Sequence, residues 1–244
     1  DSWRRLRDGL DHYIEKLIGK KERIQTIECI HKGGRKYHYD FVIIINGMPF
    51  NIEFKFNAAV IKDTPQFANV MRPSRFLSNN YEEYYFDKYL SSISNKYSLD
   101  MPERDVYLKT IHSNSPLCMR EYQEMYYRGC EKSSKFSGDE KDIQFYREAK
   151  DISKESIKTF IQQTDLDMKL LSEYLKNEHT DKIYMLFKDG EFNIQYPNVY
   201  DYDIQSYTKT DTSYIAKTTS NKTLKILLRW KNGLGIAFPA FQIS

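Results

Sequence analysis

An α/β fold, with a central sheet flanked by helices, follows from three features of this 244-residue sequence. An amphipathic helical pattern opens the chain. Two strand-like runs then meet at Asn46-Gly47, and a long helical stretch gives way to hairpins that reach the last residues. At 40% hydrophobic and 15% aromatic content, the chain can bury a substantial core as one domain spanning 1–244.

Each element has a local reason. From Ser2 to Ile18, the apolar residues Trp3, Leu6, Leu10, Ile14 and Leu17 recur at helical spacing, and Gly19 supplies a stop. Arg23 to His31 reads as a first strand, and Lys32-Gly33-Gly34-Arg35 as the turn that follows it. Tyr37 to Ile45 and Pro49 to Phe56 are rich in aromatic and β-branched residues and flank a turn signal, so they predict a β-hairpin. Asn57 to Ser78, with Pro65 and Pro73, predicts an irregular connection. Residues 79–97 predict a helix, Asp105 to His112 a strand, and 116–132 and 139–178 helices. The last of these is expected to break near Asp151-Ile152-Ser153, with Ser153 as a cap. Lys132 to Lys141 reads as a loop. Asp181 to Phe187 and Phe192 to Tyr196, around Asp189-Gly190, predict a second hairpin; Thr223 to Lys231 and Leu234 to Ile243, around Asn232-Gly233, predict a third. The motif region is thus 1–70, a helical elaboration fills 79–178, and 181–244 is β-rich.

Several classes are disfavoured by composition. With 37 basic and 34 acidic residues the net charge is only +3, so any case for nucleic-acid binding must be local. Cys29, Cys118 and Cys130 form no CxxC pair and no His/Cys ligand spacing, which argues against a structural zinc site or a disulfide framework and points to a reducing, cytoplasmic setting. The run Phe41 to Ile45 is far too short to cross a bilayer, and no membrane partner is expected.

The chemistry concentrates in the first hairpin. Along Phe50 to Phe56, Phe50, Ile52, Phe54 and Phe56 share one face while Asn51, Glu53 and Lys55 share the other. Glu53 and Lys55 therefore stand roughly 6.5 to 7 Å apart along the strand. Asp40 precedes an apolar run, at the threshold of a buried region, where an ionised group needs a partner. Two carboxylates and an ammonium on one patch suit metal-assisted hydrolysis: Asp40 and Glu53 can hold a hard divalent cation, and Lys55 can orient or deprotonate a water and stabilise charge on phosphorus oxygens. The competing reading is an ordinary half-exposed hairpin in which Lys55 guards an edge strand and Asp40 pairs with His38, Lys36 or Lys55.

Asp40, twelve intervening residues and then Glu53-Phe54-Lys55 resemble the PD-(D/E)XK nuclease signature found in many restriction endonucleases. The resemblance covers roughly residues 1–70 and includes the order helix, strand, strand with Asp, turn, strand with Glu-x-Lys; Tyr39 stands where the family name has proline. It implies a restriction-endonuclease-like core with a mixed central sheet, Mg2+ as cofactor with Mn2+ as a substitute, double-stranded DNA as substrate, and a homodimer, because two cuts on a duplex call for two active sites. It also implies an acidic residue from the first helix near the metal, with Glu15 or Glu22 in position, although Glu15 lies off the apolar stripe and suits a solvated role. Gln66 follows Glu-x-Lys as a glutamine does in several nuclease branches, without the Tyr four residues later that exonucleases carry; a plain loop residue is the alternative.

Outside the core, Arg72 and Arg75 are available to a phosphate backbone. Between 205 and 231, Tyr207, Tyr214 and Trp230 alternate with Lys209, Lys217, Lys222, Lys225, Arg229 and Lys231, a pattern that suits phosphate neutralisation with base stacking and equally suits chance in a chain with 20 tyrosines. The expectation is a Mg2+-dependent DNA endonuclease, restriction-like of type II and sequence-specific. The alternatives are a repair or recombination nuclease of the same superfamily, a non-catalytic nucleic-acid-binding module, and a protein-interaction domain.

Overall fold

Asn46-Gly47 folds the first hairpin as its sequence demands. Asn46 and Gly47 have φ of 50° and 82°, the left-handed pair that a two-residue turn between Ile45 and Met48 requires. The Asn46 side chain adds to this by accepting from the Gln25 and Thr26 amides at 2.8 and 3.2 Å and donating to the Arg23 carbonyl at 3.0 Å, which ties the lead-in of the first strand to the turn. Asn46→Ala forfeits these bonds and strains the backbone, so a loss of about 1 to 2 kcal/mol is expected in urea denaturation. An unchanged midpoint would show that the turn does not depend on the amide.

The computed structural model describes residues 2–19, 23–33, 37–63, 68–70, 72–98, 103–110, 139–230 and 239–244. Glu22, Gln66, Lys231, Cys118, Cys130, the helix expected over 116–132, most of the Lys132 to Lys141 loop and the Asn232-Gly233 turn lie outside these residues, as do the side chains of Trp3, Arg229 and Trp230.

Helix α1 (Ser2–Ile18) precedes strands β1 (Ile27–His31), β2 (Phe41–Ile45) and β3 (Met48–Phe56), which form an antiparallel meander. The chain then passes through β4 (Ala68–Val70) and helices α2 (Tyr81–Tyr85), α3 (Ser91–Tyr97), α4 (Arg104–Thr110), α5 (Glu140–Gln162) and α6 (Met168–His179). It returns as β5 (Ile183–Lys188), paired parallel to β3, and β6 (Glu191–Gln195). The first sheet is therefore mixed, in the order β1-β2-β3-β5-β6. A parallel neighbour for β3 requires a crossover, and the helical segment supplies it.

A second sheet extends the antiparallel pair expected within Thr223 to Ile243. Strands β7 (Ile204–Lys209), β8 (Ser213–Thr218), β9 (Thr223–Trp230) and β10 (Pro239–Ile243) join β4 in the antiparallel order β4-β10-β9-β8-β7. The connection 57–78, expected to be irregular, thus contributes a strand, because β10 offers Phe241, Gln242 and Ile243 as partners to residues 68–70. Such pairing is non-local and leaves no trace in three residues.

Two other expectations fail for tertiary reasons. Of the strand expected at Asp105 to His112, the described part, 105–110, belongs to α4, whose Tyr107 is fully buried against Phe86 with ring centroids 5.0 Å apart; Ile111 and His112 lie outside the described residues. Arg104 anchors its first turn to Asp87 and Glu83 at 2.9 and 3.0 Å. The break expected at Asp151-Ile152-Ser153 is absent: α5 runs through it, and Ser153 is buried on the stripe shared with Ser156, Ile157, Phe160 and Ile161. Small hydroxyl residues there let the helix approach α2, where Tyr81 and Tyr84 pack on Phe160 at 4.6 and 5.0 Å. The break falls instead before α6, which Asp167 caps by accepting from the Leu170 amide at 2.9 Å.

Apolar residues gather on both sides of the first sheet. Tyr13 and Leu17 of α1 pack with Ile43, Ile45, Ile52 and Met185 on one face. Tyr184 and Leu186, on the other face, join a larger core with α5, α6 and the inner face of the second sheet.

Candidate active site

Strand alternation decides which side of the first sheet carries the chemistry. Ile52 and Phe54 of β3 face α1, so Glu53 and Lys55 project from the opposite face, beside Tyr184 and Leu186 of β5 in the parallel register. Both charged side chains are half-buried there: the Glu53 and Lys55 side chains are 14% and 19% exposed, and Lys55 Nζ lies 2.6 Å from Glu53 Oε1. An ordinary solvated edge strand does not have this character, because β3 is paired on both sides.

Asp40 reaches the same stretch from β2's N-terminal end. The ladder stops at Phe41↔Ile52, the Asp40 amide donates to the Ile52 carbonyl at 2.9 Å, and Asp40 Oδ2 accepts from the Phe54 amide at 2.8 Å. The carboxylate thus takes the place that the next β2 carbonyl would occupy. It sits on the peptide that follows Glu53, between the two charged residues of Glu-x-Lys. Its Oδ1 has no hydrogen-bond partner among the described residues.

A second lysine, invisible to motif reasoning, completes the patch. Lys182, one residue before β5, has a side chain only 4% exposed, lies 3.8 Å from Glu53 Oε2 and donates to the His38 carbonyl at 2.9 Å. Burial pulls its ammonium below the ordinary lysine range, opposed by the charges of Glu53, Glu178 and Asp40. Beneath it, Tyr184 Oη and His179 Nδ1 are 2.9 Å apart, and His179 stacks on Tyr202 with centroids 4.0 Å apart. Burial first, then the positive charges of Lys182 and Lys55, lower the His179 pKa from 6.5 to about 3. The parallel pairing of β3 with β5 brings these residues to Glu53. The sole sequence signal was a lysine at the entry to a predicted strand, too common to single out.

Among the described residues, no group of three or more His, Cys, Asp or Glu is disposed to hold a metal ion. Asp40 and Glu53 are nonetheless donors of the right kind for magnesium, which takes one or two carboxylates and completes its shell with water and substrate oxygens. Asp40 Oδ1 is open on the described side, whereas both Glu53 oxygens face ammonium groups, so Lys55 would have to release Oε1.

No family model, curated protein or solved structure matches this chain.

The remaining predicted residues lie apart from this patch. Glu15 is exposed on α1, 3.8 Å from His12 Nδ1, and α1 covers the face of the sheet opposite Glu53. Arg72 and Arg75 are exposed beside the turn of 3-10 helix at Pro73–Phe76, where the Arg75 guanidinium lies 5.7 Å from the Phe76 ring. Lys217 and Lys225 are exposed on the outer face of the second sheet, and Lys222 in its β8–β9 turn; Lys217 Nζ lies 2.6 Å from Thr223 Oγ1. The stacking role expected of Tyr207 and Tyr214 is corrected: Tyr214 is fully buried with its hydroxyl donating to the Thr164 carbonyl at 3.1 Å, and Tyr207 Oη lies 3.0 Å from Asp165. Both tyrosines point inward because the second sheet needs an apolar face toward the core.

Proposed function

We propose that this chain is a magnesium-dependent DNA endonuclease of the PD-(D/E)XK type, restriction-like and sequence-specific, acting as a homodimer on double-stranded DNA. One observation carries the reading: Asp40 Oδ2 accepts from the Phe54 amide, on the peptide that lies between Glu53 and Lys55, and those two side chains are in contact on a half-buried face. The order α1, β1, Asp40 at the entry to β2, turn, β3 with Glu-x-Lys supports it.

Asp40 and Glu53 would hold the cation. When bound, Mg2+ supplies Lewis acidity toward a phosphate oxygen and acidifies a coordinated water. Lys55, the more exposed of the two lysines on Glu53, orients the attacking water, accepts its proton when neutral, and opposes charge on the phosphoryl oxygens when protonated. Water oxygen bonds to phosphorus, the bond from phosphorus to one deoxyribose oxygen breaks, and that oxygen gains a proton. The exposed Lys217, Lys222 and Lys225, with Arg72 and Arg75, supply cations for the DNA backbone.

Two ion pairs on Glu53 also suit a non-catalytic binding module, and one experiment separates the readings. The full chain is incubated with mixed duplex DNA and Mg2+, with and without EDTA, and the ends are sequenced. Cleavage that EDTA abolishes, leaving discrete ends, is expected. Random ends would indicate a repair or degradative nuclease; retention of DNA at low salt without cleavage would indicate a binding module; and cleavage that survives EDTA would contradict the metal mechanism.

A further inference from the structure

Lys182 is more deeply buried than Glu53, which it pairs with, and it also reaches the backbone that leads into Asp40. One contact goes to the carbonyl of His38, two residues before Asp40, at 2.9 Å; the other goes to Glu53 Oε2, at 3.8 Å. Its Nζ also lies over the Tyr184 ring, 5.4 Å from the centroid. Neighbouring backbone is tied down as well, since Asn51 Nδ2 donates to the Asp181 carbonyl at 3.0 Å, joining the start of β5 to β3.

We propose that Lys182 is a positioning residue for the candidate cation site: a buried strut that holds the His38 to Asp40 segment against Glu53 and so fixes the two carboxylates relative to each other. The inference rests on the nuclease reading above and deepens it. The two lysines on Glu53 then have separate tasks. Lys55, the more exposed of the two, can leave Oε1 for substrate or yield it to a cation, whereas Lys182 is confined by a carbonyl and a ring. Asp40 needs such a strut because it lies just outside β2 and, among the described residues, two hydrogen bonds hold it to β3: its amide donates to the Ile52 carbonyl and its Oδ2 accepts from the Phe54 amide. Outer groups that orient metal ligands are known to matter at the level of about 10 to 100-fold in affinity.

The test is Mn2+ binding to the full chain without DNA, followed by the electron paramagnetic resonance signal of free Mn2+, alongside thermal melts. Lys182→Met is expected to weaken Mn2+ binding by about 10 to 100-fold, and Lys182→Arg, which keeps both donor and charge, to stay near the wild-type value. Should Lys182→Met fail to fold, Lys182→Gln takes its place, with at least about a tenfold loss expected because Glu53 Oε2 has lost its ammonium. Unchanged or tighter binding in a folded Met or Gln variant overturns the positioning role while leaving the nuclease reading standing. A wild type that binds no Mn2+ overturns both.

Discussion

Replacing Glu53 by Gln, or Lys55 by Ala, is expected to lower DNA cleavage by about 10^2 to 10^4-fold, the scale of losing a positioned acid–base or charge-stabilising group. Duplex binding at low salt should survive in both, because the exposed lysines of the second sheet are far along the chain and untouched. The two substitutions fail for different reasons. Glu53→Gln removes the charge that faces Lys55 and Lys182 and leaves a buried ammonium without its counter-ion, so some loss of stability accompanies the loss of rate. Lys55→Ala leaves Glu53 paired with Lys182 and should fold normally, which makes it the cleaner probe. Single-turnover cleavage of a plasmid, beside filter binding of the same DNA, reads both quantities. Wild-type cleavage in both variants would remove the Glu-x-Lys motif from the mechanism.

A pH-dependent loss of stability is expected from His179. Its folded-state pKa is about 3 against an ordinary 6.5, because the ring is buried under Tyr184 and Tyr202 and close to Lys182 and Lys55. The folded state therefore refuses a proton that the unfolded chain accepts. Stability is fully present above about pH 6.5 and falls as the pH drops toward about 3, at up to 1.4 kcal/mol per pH unit. Between about pH 6.5 and 5, above the range where carboxylates titrate, the loss should approach about 2 kcal/mol. Urea denaturation across that interval, compared with His179→Gln, isolates the contribution: the variant keeps an amide for the Tyr184 hydroxyl but has no ring to protonate. Equal slopes for the two proteins would show that His179 already takes up a proton in the folded state.

Much of the local structure was legible in the chain. The spacing of Leu6, Leu10, Ile14 and Leu17 gave α1, Asn46-Gly47 gave the first turn, and Asp189-Gly190 gave the turn between β5 and β6, with Asp189 at φ 52° and Gly190 at 91°. These signals are local: helical periodicity, strand alternation and positive φ act within a few residues of their cause. Placement of Glu53 and Lys55 on one face of β3, away from Ile52 and Phe54, was likewise contained in the alternation of nine residues.

What failed depended on partners distant in sequence. Residues 105–110 carry strand-forming Val106 and Tyr107, yet the demand to bury Tyr107 against Phe86 and to pair Arg104 with Asp87 and Glu83 makes them a helix. Tyr207 and Tyr214 sit among lysines in the sequence, but pairing across the second sheet turns their rings inward while Lys217 and Lys225 face outward. By itself the sequence determined the elements and the motif, because backbone geometry and side-chain period are set residue by residue. The tertiary structure alone decided that β5 lies parallel to β3, and with it that Lys182, His179 and Tyr184 surround Glu53, because burial and ion pairing reward contacts between segments more than a hundred residues apart.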